Sequence, residues 1–308
     1  MRVIRGLHNL KFFQSACVAT IGNMDGVHLG HQAVLGQLAE KASSLGLPTV
    51  IIVFEPQPQE FFVKDKAPPR LSRFREKIEA LRRFSVDYVL CLPFNKQVAS
   101  IRAQDFIQQV LVDGLSVRYL VIGDDFRFGY KREGDFATLQ AAGEAHGFQV
   151  AKMHSFTIDD VRVSSTQIRQ ALAEGNLKTA EKYLGRSFRM SGRVARGDAR
   201  GRQLGFPTAN LQLHRTVSPL HGVYAVEMFG LEGEPIAGVA NVGTRPTVDG
   251  TRALLEVHLL DFDRMIYGQH VQVSFLHKIR DEVKFDSLDE LVAQIQQDVI
   301  QARAFHDM

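Results

Sequence analysis

The pattern of apolar residues changes near residue 186, and this change constrains the fold of the chain more than any other feature. Before it, short apolar runs alternate with segments in which apolar residues recur at helical spacing. The run at residues 49–54, Thr-Val-Ile-Ile-Val-Phe, is apolar almost throughout, as in parallel strands that are covered on both faces. Strands and helices that alternate in this way predict a doubly wound α/β domain with a parallel sheet.

This alternation predicts five strands, at residues 17–22, 49–54, 87–91, 117–122 and 148–153. The helices are predicted at residues 31–45, 73–84, 103–112, 135–146, 165–173 and 177–183. In such sheets, ligands bind beyond the carboxyl ends of the strands. The segments at residues 22–23, 55–58 and 123–125 follow strands at that edge, so we expect a binding site there.

From residue 188 onward, short strand-like runs are separated by turns, and no amphipathic helix occurs before residues 288–303. The runs lie at residues 188–194, 222–228, 236–242, 253–260 and 270–275. Short strands at this spacing predict a small antiparallel barrel with a C-terminal helix. We therefore expect two domains, residues 1–185 and residues 186–308.

Composition agrees with two ordinary globular domains and argues against several classes of protein. The chain has 308 residues, of which 45% are hydrophobic and 23% are charged. We expect neither a membrane span nor a signal peptide, because no apolar run has the length that either needs. Cys17 and Cys91 are the only cysteines, so we expect no disulfide framework, no zinc site and a reducing cytoplasmic location. A net charge of +3 without a dense Lys/Arg run argues against nucleic-acid binding.

The first candidate site is the pair His28 and His31, which follows a predicted strand and opens a predicted helix. Residues three apart lie on one face of a helical turn, and the free N–H groups at a helix N-terminus attract phosphate. Two imidazoles there can hold the α-phosphate of a nucleotide and stabilise the charge of a transition state. The structural alternative is two unrelated histidines at the start of a helix.

A second group, Arg162, Ser165, Thr166 and Arg169, surrounds the start of the helix predicted at residues 165–173. Hydroxyls, backbone N–H groups and guanidinium forks together favour a triphosphate clamp. The structural alternative is that Ser165 or Thr166 only caps the helix.

The C-terminal half has a glycine-rich segment at residues 192–210, but the chain has no Gly-x-x-x-x-Gly-Lys-Ser/Thr phosphate loop. Gly197, Gly201 and Gly205 allow the backbone to approach phosphates closely. Thr208 and Asn210 supply oxygen ligands of the kind that Mg²⁺ prefers. The structural alternative is a glycine-rich barrel turn with a buried Thr/Asn pair.

Glu256 lies within a strand pattern, where glutamate is unfavourable unless it has a partner or a function. A carboxylate near a primary hydroxyl can accept its proton as that oxygen attacks a γ-phosphate. The structural alternative is a solvated or ion-paired glutamate on a strand.

Four segments of the first half resemble the adenylyltransferase module of the bacterial bifunctional riboflavin kinase/FMN adenylyltransferase family, namely residues 21–31, 54–58, 123–129 and 164–166. Met24 stands where the family usually has Phe, and Gln57 stands where many members have His. The resemblance implies that ATP binding and adenylyl transfer to FMN involve Asn23, His28, His31, Asp125, Arg162, Ser165, Thr166 and Arg169. It also implies flavin or adenine surroundings formed by Phe54, Pro56, Pro58, Phe126 and Phe128, for which ordinary strand-end packing is the alternative.

Residues 192–210, 241–247, 256–262 and 280–285 resemble the riboflavin kinase module of the same family. The resemblance implies a six-stranded Greek-key barrel, with Mg·ATP near Thr208 and Asn210. It implies that Glu256 is the base for the riboflavin 5′-hydroxyl and that Arg280 lies on a loop closing over the flavin, with a surface charge as the alternative. Arg196 stands where many members have His.

These predictions describe an enzyme that phosphorylates riboflavin to FMN and adenylylates FMN to FAD, with ATP and Mg²⁺ in both reactions. We expect no nucleic-acid or membrane partner, weak self-association, and flavoproteins as acceptors of FMN and FAD. Three alternatives stay open on the sequence alone. In the first, the N-terminal module has lost transfer or uses another acceptor, such as another nucleotide or phosphopantetheine. In the second, the chain is a flavin sensor without activity, although His28, His31 and Glu256 argue against this. In the third, the chain binds nucleic acid.

Overall fold

The computed structural model describes residues 1–197, 201, 204–215, 217–231, 233–247 and 250–307. Contacts divide the chain into two units, the first with Met1–Pro68 and Arg73–Val163, the second with Pro69–Ser72 and the chain from Ser164 onward. Residues 164–184 therefore pack within the second unit, and a functional boundary at residues 185 and 186 stays a prediction. Arg202 and Gln203 of the glycine-rich segment lie outside the described residues.

The first unit is built on a six-stranded parallel sheet, which confirms the predicted fold class. In chain order the strands are β1 (Arg2–Arg5), β2 (Cys17–Ile21), β3 (Thr49–Glu55), β4 (Tyr88–Pro93), β5 (Val117–Gly123) and β6 (Gln149–Met153). Across the sheet the order is β1-β4-β3-β2-β5-β6. The chain runs from β2 toward one edge and from β5 toward the other, so the order reverses between β2 and β5. Ligands of doubly wound sheets bind at the carboxyl ends of the strands at such a reversal.

Helices cover the sheet and short elements connect them. The helices are α1 (Leu29–Leu45), α2 (Pro58–Val63), α3 (Phe74–Leu81), α4 (Lys96–Ala99), α5 (Ala103–Phe106), which continues as a π-helix over Ile107–Val112, and α6 (Phe136–His146). Shorter 3₁₀ turns lie at Leu7–Phe12, Asp25–Val27, Lys64–Lys66 and Tyr130–Arg132. A small antiparallel pair, β7 (Thr157–Ile158) and β8 (Val161–Arg162), ends the unit. Every residue of β2 is buried, as expected for a central strand that is covered on both faces.

The second unit is a closed antiparallel barrel with helices before and after it, again as predicted. The two preceding helices are α7 (Ser165–Ala173) and α8 (Leu177–Leu184). The barrel strands are β9 (Arg189–Ala195), β10 (Ala209–Gln212), β11 (Gly222–Phe229), β12 (Ile236–Thr247), β13 (Gly250–Leu259) and β14 (His270–Arg280), followed by α9 (Leu288–His306). Around the barrel the order is β10-β13-β12-β11-β14-β9.

Strand β13 shows how the barrel separates its core from its outer face. Leu255 and Val257 are fully buried in the hydrophobic core of the unit. Because side chains alternate along a strand, Leu254, Glu256 and His258 point to the other face, where they are only partly buried. The outer face of β13 is therefore available to build a site without interrupting the core.

Candidate active sites

The loop after β2 carries the histidine pair, and its backbone adopts uncommon conformations. Met24 and Val27 have positive φ values of 49° and 43°, and Gly26 has a φ of 79°. Positive φ is costly for a β-branched residue such as Val27, and such strain clusters at functional sites. The loop turns the chain at the carboxyl end of β2, so that α1 begins at Leu29 with His28 as its N-cap.

The rings of His28 and His31 lie face to face at the first turn of α1. Their centroids are 3.7 Å apart, with 20° between the ring planes. Nδ1 of His28 accepts a hydrogen bond of 3.3 Å from the backbone N–H of His31. An accepting Nδ1 carries no proton, which places the ring proton of His28 on Nε2. The structure therefore brings the predicted pair together.

His31 is neutral near pH 7, so it can donate a hydrogen bond to a phosphate but offers it no positive charge. Burial lowers the pKa of His31 well below its ordinary value, and repulsion from His28, when that ring is protonated, and from Lys77 lowers it further. Lys77 lies on α3 and is fully buried; its place in an ordinary helical pattern gave no sign of this. Nδ1 of His31 is buried without a hydrogen-bond partner among the residues that the structure describes. Buried polar atoms of this kind usually have a partner, so this atom favours a ligand site in the loop.

The depressed pKa of His31 predicts a loss of stability in acid. The unfolded chain, with an ordinary histidine pKa of about 6.5, binds the proton before the folded chain does. The free energy of unfolding should therefore fall as the pH drops below about 6.5, by up to about 1.4 kcal/mol per pH unit, until folded His31 also titrates. Urea unfolding of the wild type and His31→Gln, from about pH 7.5 to about pH 5.5, tests this. The wild type should lose more stability than the variant, and equal losses would contradict the assignment.

Gly30 lies between the two histidines, where a side chain would disturb His28. A Cβ atom built on Gly30 would lie 3.2 Å from Nδ1 and Cε1 of His28 and 3.3 Å from the carbonyl oxygen of Val163. We expect Gly30→Ala to displace the His28 ring and to lower FAD formation by about tenfold or more, because small misplacements of reacting groups are costly. Assays of FAD formation from FMN and ATP measure this effect.

Gly36 provides the matched control on the same helix. A Cβ atom on Gly36 meets nothing within 4 Å, and the residue is exposed. Gly36→Ala should therefore leave FAD formation unchanged and stabilise α1 by about 1 kcal/mol, the difference between glycine and alanine inside a helix. An equal loss of activity in both variants would show that the Gly30 contact is irrelevant.

Arg162 ends β8 and is held by two aspartates that follow β5. Its Nη2 atom lies 2.9 Å from Oδ2 of Asp125 and 3.7 Å from Oδ1 of Asp124. A hydrogen bond from Ser155 and the charge of Arg162 lower the pKa of Asp124. A phosphate that binds Arg162 must therefore compete with these carboxylates.

Asn23, another predicted site residue, is partly buried in the loop after β2.

The start of α7 differs from the structural alternative, in which Ser165 or Thr166 caps the helix. Ser164, and not Ser165 or Thr166, is the N-cap, and its hydroxyl accepts a hydrogen bond of 3.3 Å from the N–H group three residues later. Ser165 and Thr166 instead occupy the first two positions of the helix. Nε of Arg169 donates to the carbonyl oxygen of Pro69 over 2.7 Å, so part of this guanidinium supports the segment Pro69–Ser72. Nucleotide binding by these second-unit residues stays a prediction.

Phenylalanines form a continuous cluster that includes residues at or after the carboxyl ends of β3 and β5. The ring centroid of Phe54 lies 5.5 Å from that of Phe94 and 6.5 Å from that of Phe106. Phe106 lies 5.7 Å from Phe128, which in turn stacks on Phe126 at 5.7 Å with 14° between the planes. Sequence reasoning selected three of these rings and missed Phe94 and Phe106, which join them.

Helix α2 extends this cluster toward solvent. Phe62 lies 5.7 Å from Phe94 and is 64% exposed, so the cluster reaches the surface at this helix. Pro56 is exposed at the same edge. Gln57 is buried, and its Nε2 atom has no hydrogen-bond partner in the described part of the chain, so this departure from the family pattern supplies a donor inside the loop.

A cavity of about 550 Å³ lies on the outer face of the barrel beside α9. Five predicted site residues line it, namely Gly201, Thr208, Asn210, Glu256 and Arg280. Apolar side chains of α9 and of the segment before it complete the wall, among them Val283, Phe285, Leu291, Ile295 and Val299. The cavity therefore combines a polar strand surface with an apolar helix surface, as sites for organic ligands usually do.

Glu256 lies between two asparagines on three neighbouring strands. Asn210 of β10 and Asn241 of β12 are both directly paired with Glu256 of β13, and all three residues line the cavity. Directly paired residues have Cβ atoms about 5 Å apart, so a carboxylate stands between two amides in one row. Sequence reasoning placed Asn241 in a family segment but gave it no role.

The three predicted glycines are explained by close approach or by backbone conformation. A Cβ atom on Gly197 would lie 2.5 Å from Nδ2 of Asn210, and one on Gly201 would clash with the carbonyl oxygen of Phe206. Gly205 has a φ of 86°, which favours glycine. Only Gly201 of the three lines the cavity, so phosphate contact by the other two stays a prediction.

Arg280 is the last residue of β14 and does not lie on a loop, which corrects its predicted position. Its Nε and Nη2 atoms donate to the two carboxylate oxygens of Asp298 over 2.8 Å and 2.7 Å. Asp298 lies on α9 and is 2% exposed. Sequence reasoning missed it, because one aspartate in an amphipathic helix does not reveal that it is buried.

Within the described residues, no helix has both the length and the apolar content of a membrane span. The same part of the chain has no group of three or more His, Cys, Asp or Glu side chains arranged to hold a metal ion.

Family models match both halves of the chain. The FAD synthetase family model matches residues 11–167, and the riboflavin kinase family model matches residues 184–306. A crystal structure described as a macrolide-efflux protein from Streptococcus pneumoniae has 33% identical residues and a TM-score of 0.83, with 98% of each chain covered.

Two curated relatives extend the match over nearly the whole length. The bifunctional riboflavin kinase/FMN adenylyltransferase of Escherichia coli (strain K12) is 54% identical over 306 residues, covering 99% of this chain and 98% of the relative. The Haemophilus influenzae protein of the same description is 52% identical over 305 residues, covering 99% of both. With the parallel sheet, the closed barrel and a candidate site in each unit, these matches show that the chain belongs to the bifunctional riboflavin kinase/FMN adenylyltransferase family.

Proposed function

We propose that riboflavin is phosphorylated in the cavity beside α9 and that FMN is adenylylated at the loop between β2 and α1, each reaction with Mg·ATP. The observation that carries the first assignment is Glu256, which stands between Asn210 and Asn241 in a cavity of about 550 Å³. The second rests on the histidine pair at the reversal of strand order. Weak self-association and flavoprotein acceptors stay predictions.

In the kinase reaction, Glu256 is the general base. Its carboxylate accepts the proton of the riboflavin 5′-hydroxyl as that oxygen bonds to the γ-phosphorus of ATP, and the bond to ADP breaks. Asn210 and Asn241 position the carboxylate and the attacking hydroxyl from either side. Phosphoryl transfer depends mainly on such positioning and on charge stabilisation.

Thr208 and Asn210 fit the requirements of Mg²⁺, which prefers oxygen ligands and keeps several waters. Both line the cavity, and Gly197 and Gly201 lack the side chains that would crowd them. These two residues would hold the ion together with the phosphates of ATP, and the bound ion would offset phosphate charge.

In the adenylyl transfer, a phosphate oxygen of FMN bonds to the α-phosphorus of ATP, and pyrophosphate leaves. The imidazoles of His28 and His31 lie against the α-phosphate, and the neutral ring of His31 supplies an N–H to one of its oxygens. The free N–H groups at the start of α1 add to this stabilisation of the developing charge. The phenylalanine cluster that includes Phe54 and Phe126 binds the planar flavin of FMN in this reaction.

In the kinase cavity, Arg280 contacts the flavin of riboflavin.

Chromatography of flavins tests this proposal. Purified protein is incubated with riboflavin, excess ATP and Mg²⁺, with controls that lack ATP or contain EDTA. FMN followed by FAD is the expected result, and both products should disappear with EDTA. Asn210→Ala should raise the Mg²⁺ concentration needed for FMN formation and leave that for FAD formation unchanged. A parallel change in both would contradict the assignment of Asn210 to the kinase site.

A further inference from the structure

We propose that Asp298 is a positioning residue for riboflavin phosphorylation. It orients Arg280 so that the flat face of the guanidinium stacks on the flavin ring. This inference rests on the proposed contact between Arg280 and the flavin.

All three nitrogen atoms of the Arg280 guanidinium donate hydrogen bonds along its edge. Nε and Nη2 donate to Asp298, and Nη1 donates to the carbonyl oxygen of Asp281 over 2.9 Å. A bidentate pair fixes the plane of the guanidinium as well as its position. Before the same edge of this guanidinium can donate hydrogen bonds to a phosphate, Arg280 must break its pair with Asp298. Breaking the pair is costly, because it leaves a buried carboxylate without its partner.

Asp298 is itself held in place. It is 2% exposed, and Nε2 of Gln294, one turn earlier on α9, donates to its Oδ1 atom over 3.0 Å. The orientation of Arg280 is therefore fixed by two side chains of α9, because Gln294 holds Asp298 and Asp298 holds Arg280.

The flat face of Arg280 already takes part in one aromatic contact. Its Cζ atom lies 5.8 Å from the ring centroid of Phe285, and Arg280, Asp298 and Phe285 all line the kinase cavity. Guanidinium groups stack on aromatic faces, and the three-ring system of riboflavin is planar and aromatic. A ligand of this shape can use the face of Arg280 while every edge hydrogen bond stays intact.

A second pair in the same unit provides the matched control. Arg303, also on α9, donates to both carboxylate oxygens of Asp261 over 2.6 Å and 2.8 Å. Asp261 follows β13, its side chain is 76% exposed, and neither residue lines the cavity. Asp261→Asn therefore removes a similar pair between α9 and the end of a barrel strand without changing the site.

Steady-state kinetics of FMN formation test the proposal in the full-length chain. Asp298→Asn should raise the KM for riboflavin by about tenfold, the loss expected for a stacked cationic contact, and leave the KM for ATP unchanged. Arg280→Lys keeps the charge but loses the planar fork and should have a similar effect. The double variant should be no worse than either single variant, because both remove the same contact. Asp261→Asn should change neither KM.

An unchanged KM for ATP in FMN formation reports that the barrel of each variant is folded, and FAD formation from FMN by the same samples reports that the first unit is folded. Equal rises in both KM values, or additive effects in the double variant, would overturn the proposal and leave the pair as a structural cross-link. A higher riboflavin KM in Arg280→Lys alone would overturn it while keeping Arg280 as a flavin contact. No change in either variant would remove the proposed role of Arg280 as well. If Asp298→Asn loses both activities, Gln294→Ala takes its place, because it removes the hydrogen bond that orients Oδ1 of Asp298; a selective rise in riboflavin KM then supports the proposal, and an unchanged riboflavin KM overturns it.

Discussion

Glu256→Gln is expected to lower the rate of FMN formation by about 10²- to 10⁴-fold, the usual contribution of a general base. The amide keeps the size of the side chain and its place between Asn210 and Asn241, but it cannot accept the proton of the riboflavin hydroxyl. FAD formation from supplied FMN should be unchanged, because we assign that reaction to the histidine loop. Chromatography of both products from one preparation measures the two effects together.

Glu227→Gln is the control for this variant. Glu227 is also a partly buried glutamate on a barrel strand, β11, but it does not line the cavity. Its substitution should leave FMN formation at the wild-type rate. If Glu256→Gln retained full kinase activity, or if both variants lost it equally, Glu256 would be a structural residue and the base would have to be sought elsewhere in the cavity.

His31→Ala is expected to lower FAD formation by about 10²- to 10³-fold, as when one preorganised donor to a developing negative charge is removed. The substitution deletes the N–H that we propose His31 donates to phosphate and the ring against which His28 stacks at 3.7 Å. FMN formation should continue at the wild-type rate, so FMN should accumulate from riboflavin and ATP.

His146→Ala separates this effect from a general response to losing a histidine. His146 is exposed at the end of α6, and its substitution should leave both products unchanged. Loss of FMN formation in a folded His31→Ala protein would contradict the assignment of one reaction to each site.

The alternation of apolar runs was enough to predict the architecture of both units, because buried parallel strands and barrel strands differ in length and spacing. One strand of the parallel sheet and one strand of the barrel were missed for physical reasons. The edge strand β1 has an arginine at each end and only its third residue partly covered, so it lacks the apolar signal of a central strand. Strand β10 has four residues, of which only Leu211 is buried, and its sequence was interpreted as part of a glycine-rich loop.

The sites were predictable where a motif is local and unpredictable where partners come from distant segments. His28 and His31 are adjacent on one turn, so their spacing indicates that they lie together. The partner of Arg280 is Asp298, 18 residues later on a helix, and the neighbours of Glu256 come from two other strands. Strand register and burial determine such pairs, and neither can be deduced from the spacing of residues along the chain.

The outer face of β13 has a consequence for how this enzyme can change. Glu256 and its neighbours on that face contact the cavity, while Leu255 and Val257 fill the core from the opposite face. Truncating a core leucine costs about 3–5 kcal/mol, whereas a substitution on the outer face leaves that packing intact. Alterations of substrate preference at Leu254 or His258 are therefore largely independent of folding. Evolution or protein engineering can explore new ligands on one side of a single strand while the other side keeps the barrel closed.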